Sequence, residues 1–223
     1  MNQQSLALSP PQGGPLAALL DSPPSPYACY VLAHGAGAGM DHAFLAALAG
    51  RLCAQGVAVL RFQFPFMQQG SRRPDPPAVA QAAVRTAVEE AGKRFPGLPL
   101  FAGGKSFGAR MSSQAQAASP LPGVRGLVFV GFPLHPAGKP GITRAAHLDG
   151  VHVAMLFLQG TRDALADLSL VQEVVQPLRP RATLHVVDGA DHAFHVLVRS
   201  GRTDAQVLDE LALAAAQWMR AQM

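Results

Sequence analysis

The sequence predicts a three-layer α/β domain in which helices cover both faces of a mostly parallel sheet. Strand-like and helix-like stretches alternate at least five times along the 223 residues. The strand-like stretches are continuous apolar runs, such as residues 28–32 (ACYVL), rather than alternating patterns. Continuous apolar runs are typical of strands that are buried on both faces. The connections are short, so we expect no large cap domain over the sheet.

The apolar runs and their breakers give the order of the elements. Strands are predicted for residues 16–20 (a short edge strand), 28–32, 57–62, 98–102, 126–130, 154–158 and 183–187. Helices are predicted for residues 41–55, 77–94, 106–118, a stretch that ends near 175, and 203–222. Asp41 is the expected cap of the first helix. Prolines predict a loop over residues 21–26.

Composition limits the number of domains and the class of partner. A chain of 223 residues with 49% apolar content can bury one sizeable core. We therefore predict one domain over residues 16–223, preceded by a flexible lead-in over residues 1–15 that is rich in Gln, Ser, Pro and Gly. The net charge of +4 comes from scattered arginines, with no basic run interleaved with aromatic residues. We therefore expect no nucleic-acid partner.

The N-terminus and the two cysteines predict the compartment. Residues 1–5 lack the basic region that precedes the apolar core of a signal peptide. No apolar run approaches the ~20 residues that span a bilayer. Cys29 and Cys53 have neither metal-ligand nor C-x-x-C spacing, which predicts buried free thiols. We expect a cytoplasmic monomer or homodimer that has no metal, no cofactor and no membrane partner.

Residues 104–108 (GKSFG) match the pattern G-x-S-x-G, which places a serine on a sharp turn between a strand and a helix. Such a turn forces the serine toward positive φ, and the flanking glycines avoid collisions there. Alone the pattern is weak, because a chain with this much Gly and Ser matches it by chance with odds of roughly one in ten. An acid, a histidine and a glycine-rich loop are needed to support it.

Three other strand ends supply these partners. Ligands of open α/β sheets bind at the carboxyl ends of the strands, so functional residues are expected there. Residues 34–39 (HGAGAG) follow the strand 28–32, Asp163 follows the strand 154–158, and His192 follows the strand 183–187. Nucleophile, acid and histidine therefore occur in the chain order of an α/β-type Ser-Asp-His triad.

Each residue suits one role in acyl transfer. His192 is the candidate base for Ser106, because an imidazole titrates near neutrality. Asp163 is the candidate acid that fixes the imidazole tautomer and stabilises the imidazolium. The backbone N–H groups of Phe107 and Ala36 are the candidate oxyanion donors.

Structural explanations compete with some of these roles. The alternative for Ser106 is a helix cap, although a cap does not need glycines on both sides. Asp167 is the alternative to Asp163, which lies closer to the strand end. Asp188 and Asp191 flank the histidine too closely to reach back to it, and they are more typical of turns.

Other residues near the strand ends are candidates for the substrate pocket: His34, Phe64, Phe66, Lys105, Phe132, His135 and Phe194. The aromatic rings favour an apolar acyl or aromatic group. Lys105, Arg110 and Arg144 favour an acidic substrate, unless Lys105 and Arg110 are ion-paired helix residues. His34 also suits a loop-stabilising hydrogen bond. We expect structural or surface roles for the remaining histidines that we considered, His42, His147, His152 and His185.

These motifs resemble the α/β-hydrolase superfamily over nearly the whole chain from Ala28. More narrowly, the chain is similar to a small lidless group related to dienelactone hydrolases and to the testis-expressed and chromatin-complex hydrolase-like domains. The resembling segments are residues 32–37, 61–66, 104–110, 131–136, 159–163 and 189–192. The resemblance implies a lidless α/β-hydrolase fold with a triad of Ser106, Asp163 and His192. Dienelactone hydrolases commonly have cysteine where Ser106 stands, so no lactone-specific activity follows.

The leading hypothesis is a serine hydrolase that cleaves a carboxylic ester, thioester or lactone of a small substrate through an acyl-serine intermediate. The alternative is a non-catalytic binding or scaffold module that keeps the fold. A dinucleotide-binding domain is disfavoured, because Met40 stands where the last glycine of G-x-G-x-x-G belongs. No acidic residue ends the following strand either, which finishes in residues 61–63 (RFQ).

Overall fold

One eight-stranded sheet runs through the protein. The structure is a computed structural model that describes residues 2–223. The strands are β1 (Asn2–Leu8), β2 (Leu16–Ser22), β3 (Ala28–Ala33), β4 (Val57–Phe62), β5 (Leu100–Lys105), β6 (Val124–Val130), β7 (Ala154–Gly160) and β8 (Ala182–Val187). The helices are α1 (Ala43–Ala54), α2 (Pro65–Gln68), α3 (Pro77–Arg94), α4 (Phe107–Ala118), α5 (Leu168–Val175) and α6 (Asp204–Ala221). Three 3₁₀ helices cover Thr143–Gly150, Gln176–Leu178 and Val198–Ser200.

The sheet has the order β1-β2-β4-β3-β5-β6-β7-β8, and its six strands from β3 to β8 are parallel. Helices α1 and α6 pack on one face, while α3, α4 and α5 pack on the other. Strands β3 and β4 are buried over their full length. Between β6 and β7, residues 131–153 contain only a 3₁₀ helix. The predicted three-layer fold without a large cap is confirmed.

The predicted flexible lead-in is wrong for residues 2–8, which form β1. This strand pairs antiparallel with β2 along its whole length, from Asn2 opposite Ser22 to Leu8 opposite Leu16. Most of its side chains are exposed at the edge of the sheet, so it lacks the apolar run that marks the other strands. Backbone pairing holds it in place, and that pairing leaves little trace in a polar sequence.

Strand β2 is also not the predicted edge strand. It lies between β1 and β4 and extends to Ser22, so that Asp21 belongs to the strand rather than to a loop. The buried Asp21 carboxylate accepts hydrogen bonds from Arg61 Nε at 3.1 Å and Arg61 Nη2 at 2.7 Å. Gln3 Nε2 donates to its second oxygen at 2.7 Å. An ion pair between two strands therefore stabilises a polar residue next to the prolines.

The helix boundaries agree with the predictions to within two residues, but the cap of α1 differs. His42 rather than Asp41 is the cap, because its Nδ1 accepts the N–H of Phe44 at 3.3 Å. Cys29 and Cys53 are free and buried, as predicted. Among the helices of residues 2–223, none is long and apolar enough to cross a membrane.

Strand β5 starts later and ends later than the predicted strand 98–102, and it includes Gly103 and Gly104, which lie beyond the predicted end. Their φ angles are 146° and 150°. A Cβ at Gly103 would lie 1.9 Å from the carbonyl oxygen of Val128. The glycines therefore do not break the strand. They allow the neighbouring backbones to approach it just before the turn that carries Ser106.

Candidate active site

Ser106 forms the turn between β5 and α4. Its backbone has φ 51° and ψ −109°, a conformation that is strained for a residue with a side chain. The turn is also crowded from below. A Cβ at Gly104 would lie 2.2 Å from the carbonyl oxygen of Ala33, and one at Gly108 would lie 2.5 Å from the same atom. Both glycines of the pattern are therefore needed for β3 to pack under the serine.

Three side chains from different strand ends meet at this turn. His192 Nε2 lies 2.8 Å from Ser106 Oγ, and His192 Nδ1 lies 2.7 Å from Asp163 Oδ2. An ionised carboxylate only accepts hydrogen bonds, so Nδ1 donates and Nε2 is left to accept the serine proton. The structure thus joins the three predicted residues in one hydrogen-bonded chain. The alternative acid, Asp167, lies at the start of α5 with its side chain half exposed.

Asp163 is buried and held by neutral groups. Gln159 Nε2 donates to Asp163 Oδ2 at 2.5 Å, and the N–H of Leu165 donates to Oδ1 at 2.8 Å. Gln159 Oε1 in turn accepts the N–H of Phe132 at 3.1 Å. The sequence analysis did not assign Gln159 a role. An amide directly after the apolar run 154–158 is nevertheless a recognisable pattern for a buried hydrogen bond at a strand end. It fixes the carboxylate without adding charge to it.

The loop that carries His192 is folded around Asp191. Asp191 Oδ1 accepts the N–H groups of Ala193 at 2.8 Å and His195 at 3.0 Å, the turn-forming role expected of it. Phe194 follows with φ 64°, and its ring stacks on Phe44 of α1 at a centroid distance of 5.9 Å. These contacts set the position of the imidazole relative to the serine.

Lys105, the residue before the serine, braces the same loop. Its Nζ donates to the carbonyl oxygen of His192 at 2.5 Å and lies 5.3 Å from the centre of the Phe194 ring. Burial lowers the pKa of Lys105 to about 8, against the opposing effect of the Asp163 and Asp191 charges. The ammonium therefore links the end of β5 to the histidine loop.

The glycine-rich loop after β3 is fixed at both ends. His34 Nε2 accepts the N–H of Phe64 at 2.9 Å, so its Nδ1 carries the proton and donates to Gly35 O at 2.7 Å. Burial lowers the pKa of His34 to about 4, which keeps the ring neutral. At the far end, Arg61 Nη1 donates to Met40 O at 2.7 Å. His34 thus has the loop-stabilising role that we considered for it.

The two predicted oxyanion donors are neighbours of Ser106. Phe107 is the first residue of α4, and the first N–H groups of a helix have no acceptor within the helix. Ala36 follows Gly35, where a Cβ would lie 3.8 Å from Ser106 Cβ. Phe107 thus begins the helix that follows the serine, and Ala36 lines the same cavity as Ser106.

An open cavity of about 450 Å³ lies over the serine and the histidine. It is lined by Gly35, Ala36, Gly37, Ala38, His42, Phe44, Leu45, Lys105, Ser106, Leu165, His192 and Ala193. The wall is mostly apolar, with Lys105 and His42 as its ionisable members besides the triad histidine. No group of three or more His, Cys, Asp or Glu side chains within residues 2–223 could hold a metal ion.

Most of the predicted pocket residues do not line this cavity, so the pocket assignment needs correction. Only Lys105 does, and His34 and Phe194 are buried behind the wall. His135 Nε2 accepts the N–H of Asp167 at 3.1 Å, which makes it a structural residue. The apolar wall comes instead from Phe44, Leu45 and Leu165. Two of these belong to α1, where helical spacing alone predicts core contacts.

The remaining predicted pocket residues form aromatic clusters in the core. Phe64 packs on the ring of Phe107 at a centroid distance of 5.2 Å and on Phe66 at 6.2 Å. Phe132 packs on Phe129 at 5.3 Å. These rings follow strand ends, as the prediction required, but they turn down between the sheet and α4. Their burial is worth more there than on the wall of an open cavity.

Comparison with known proteins identifies the family of this fold. Residues 26–220 match the sequence profile of the alpha/beta hydrolase domain family. The chain belongs to the alpha/beta hydrolases. A serine hydrolase without a lid from Xanthomonas campestris has the same fold, with 24% identity, a TM-score of 0.76, and 97% of this chain and 94% of that chain covered.

Two further alpha/beta hydrolases have the same fold. A serine hydrolase homologue from Coxiella burnetii is 20% identical with a TM-score of 0.78, over 96% of this chain and 98% of that chain. A dienelactone hydrolase from Anabaena variabilis is 18% identical with a TM-score of 0.79, over 99% and 97% of the two chains. At these identities the likeness shows the fold, and the resemblance to lidless and dienelactone-hydrolase-like proteins is confirmed.

Proposed function

We propose that the protein is a serine hydrolase that cleaves a carboxylic ester, thioester or lactone of a small substrate through an acyl-Ser106 intermediate. The observation that carries the proposal is the unbroken chain of hydrogen bonds from Ser106 Oγ through His192 to Asp163, at the floor of an open cavity. A serine hydroxyl is a poor nucleophile until a base removes its proton, and this chain supplies the base.

In the first step, Ser106 Oγ attacks the substrate carbonyl while His192 Nε2 takes the hydroxyl proton. Asp163 accepts from Nδ1 throughout, so it keeps Nε2 unprotonated before the attack and stabilises the imidazolium afterwards. His192 then returns the proton to the leaving alcohol, thiol or hydroxyl. Water repeats the sequence on the acyl-enzyme and releases the acid.

The tetrahedral intermediate places a negative charge on the former carbonyl oxygen. The N–H groups of Phe107 and Ala36 are the donors that suit this oxygen, because both neighbour Ser106. Loss of one such donor typically lowers kcat about 10²–10³-fold. The rigid anchoring of the glycine-rich loop by His34 and Arg61 supports the same role, since oxyanion donors act best when they need not move.

The cavity argues for a small acyl group. Its volume of about 450 Å³ is that of a small-molecule site, and its mostly apolar wall suits an aliphatic or aromatic acyl group. The dienelactone hydrolase named above acts within the same fold, but the cavity shape alone does not favour a lactone over an open ester. We propose small esters as the first substrates to assay.

A fluorophosphonate probe tests the nucleophile directly. The wild-type protein should be labelled at Ser106, and Ser106→Ala should abolish labelling and the hydrolysis of short p-nitrophenyl esters. Ser119→Ala is the matched control, since this exposed serine lies at the opposite end of α4 and should label like the wild type. A folded wild-type protein that neither labels nor hydrolyses these esters would favour the non-catalytic module instead.

A further inference from the structure

Two helices next to the nucleophile present basic side chains to one another. Ser113 Oγ donates to the carbonyl oxygen of Arg110 at 2.9 Å, so it accepts from Nε2 of His147 at 2.7 Å. That bond joins α4 to the 3₁₀ helix Thr143–Gly150. Arg110 lies one turn before Ser113 on α4, and Arg144 lies one turn before His147 on the 3₁₀ helix. We call Arg110, Arg144 and His147 the basic cluster.

The cluster lacks an acidic partner. Within residues 2–223, neither Arg110 nor Arg144 forms an ion pair with a carboxylate, whereas Arg51, Arg61, Arg94 and Arg202 all do. Arg110 Nε is buried and has no hydrogen-bond acceptor. Arg181 Nε is also buried without an acceptor, but Arg181 Nη2 donates to Asp149 O at 3.3 Å. Arg110 therefore combines a buried Nε that has no acceptor with the charge of a second arginine nearby.

The electrostatics show that these groups oppose one another. Burial and the charge of Arg144 lower the pKa of Arg110. Burial and the charge of Arg110 lower the pKa of His147 to about 4. Half-buried cations with no counter-charge are costly unless a ligand supplies one. The group that would balance these arginines is therefore an anion.

We propose that Arg110 and Arg144 form a binding site for an oxyanion, either a carboxylate or a phosphate group, while His147, whose N–H is donated to Ser113, joins the two helices that carry them. A guanidinium presents a planar fork of N–H donors that matches the two oxygens of such a group. Two arginines give the bound anion two positive charges, and the terminal Nη groups of Arg110, which have no hydrogen-bond partner within residues 2–223 and are not buried like Nε, are the donors that an anion can reach. Neither the triad nor the cavity over Ser106 uses these donors.

The position of the cluster suggests one source for the anion. The N–H of Arg110 donates to the carbonyl oxygen of Ser106 at 3.2 Å, so the cluster begins one helical turn, about 5.4 Å, beyond the nucleophile. A substrate that carries an acidic group a few bonds from its ester could reach both. This assignment to the substrate rests on the proposed hydrolase function. The second source is a free anion that binds independently of catalysis.

Calorimetric titration with inorganic phosphate and with succinate tests the site without turnover. Both Arg110→Gln and Arg144→Gln should weaken binding at least tenfold, and higher salt should weaken it further. Arg72→Gln, at an exposed loop arginine, is the control and should bind like the wild type. Absence of binding to the wild-type protein, or equal binding to all variants, would overturn the proposal. Circular dichroism confirms that each variant is folded.

Kinetics with a matched pair of esters distinguishes the two sources. p-Nitrophenyl hemiadipate carries a carboxylate, and p-nitrophenyl heptanoate has a similar length without one. If the anion belongs to the substrate, Arg110→Gln should lower kcat/KM for the hemiadipate about tenfold more than for the heptanoate. Equal effects on both esters, together with lost phosphate binding, would assign the site to a free anion. An inactive wild-type protein would contradict the hydrolase function. The calorimetric titration would still show whether the anion site exists.

Discussion

Two buried aspartates, Asp21 and Asp163, have hydrogen-bond partners of different kinds. Their exposed fractions are 1% and 4%. Asp21 is paired with the permanent cation of Arg61 and receives a further bond from Gln3. Asp163 is held by the neutral groups of Gln159 and Leu165, and its remaining partner is the imidazole of His192.

The two aspartates differ in whether their partner can change its charge. A guanidinium remains charged at every relevant pH, so Arg61 balances the negative charge of Asp21 throughout that range. An imidazole gains and loses a proton near neutrality. In the proposed mechanism, Asp163 therefore keeps its charge available for the imidazolium that forms when Ser106 is deprotonated. We infer that Asp21 stabilises the fold and that Asp163 supports catalysis. Substitutions at each residue can separate these two effects.

The largest effect should come from Asp163→Asn. An amide can donate to His192 Nδ1 and so favour the wrong tautomer, with Nε2 protonated and unable to accept from Ser106. We expect kcat for p-nitrophenyl acetate to fall about 10⁴-fold with little change in the folded fraction. Asp167→Asn, four residues away, is the matched control and should change kcat little. Activity of Asp163→Asn within tenfold of the wild type would contradict its role.

Asp21→Asn should act on stability instead. Removing one partner of a buried ion pair leaves Arg61 without a counter-charge and typically costs about 3–5 kcal/mol. Urea denaturation should therefore show a large fall in the free energy of unfolding, while kcat per folded molecule should fall far less than in Asp163→Asn. Replacing both partners, as in Asp21→Leu with Arg61→Met, should recover much of the loss. No recovery in the double variant would mean that the pair acts through packing rather than charge.

His34 should make stability depend on pH. Its pKa is lowered to about 4 in the folded protein, against about 6.5 for an ordinary histidine. As pH falls from 6.5 to 4, the unfolded chain takes up the proton first, so the free energy of unfolding falls, by an amount on the order of 3 kcal/mol. His34→Gln should flatten the slope across this window.

The exposed His152 offers a control for this slope, because His152→Gln should leave it unchanged. His147, with a pKa also lowered to about 4, contributes to the slope that remains in His34→Gln. Urea titrations at several pH values measure all three proteins. Equal slopes in the wild type and His34→Gln would show that the loop does not hold a neutral imidazole.

Gln159→Leu should give the smallest effect and sharpens the comparison. It removes the neutral clamp on Asp163 but leaves the carboxylate and its charge in place. Loss of a hydrogen bond to a charged group corresponds to about 10–100-fold in rate, which we expect in kcat with KM nearly unchanged. A rise in KM at constant kcat would show that Gln159 shapes the cavity rather than the triad.

The sequence predicted the centre of the molecule better than its edges, for a physical reason. Ser106, Asp163 and His192 each follow an apolar strand, and the carboxyl ends of parallel strands share one edge, so their meeting could be inferred. Asp21 depends on Arg61, a partner forty residues away, and β1 depends on backbone pairing with β2. Contacts between distant segments leave no periodic pattern.

The pocket was the least predictable part of the site. Strand-end aromatics such as Phe64 were expected on the cavity wall, but the space beneath α4 buries them more fully. The wall instead includes Phe44 and Leu45 of α1. The direction of a side chain in a loop depends on how well it packs in each alternative position. That packing involves distant residues, so it cannot be inferred from the neighbouring sequence.

The central claim is an acyl group on Ser106, and rapid-quench mass spectrometry with p-nitrophenyl acetate tests it most directly. The account predicts one acetyl group per protein in the first turnover, located by proteolysis to the peptide that contains Ser106. His192→Ala should accumulate it far more slowly, and Ser106→Ala should show none. Steady hydrolysis of the ester by wild-type protein without a detectable acetyl group, or an acetyl group that persists in Ser106→Ala, would contradict the account.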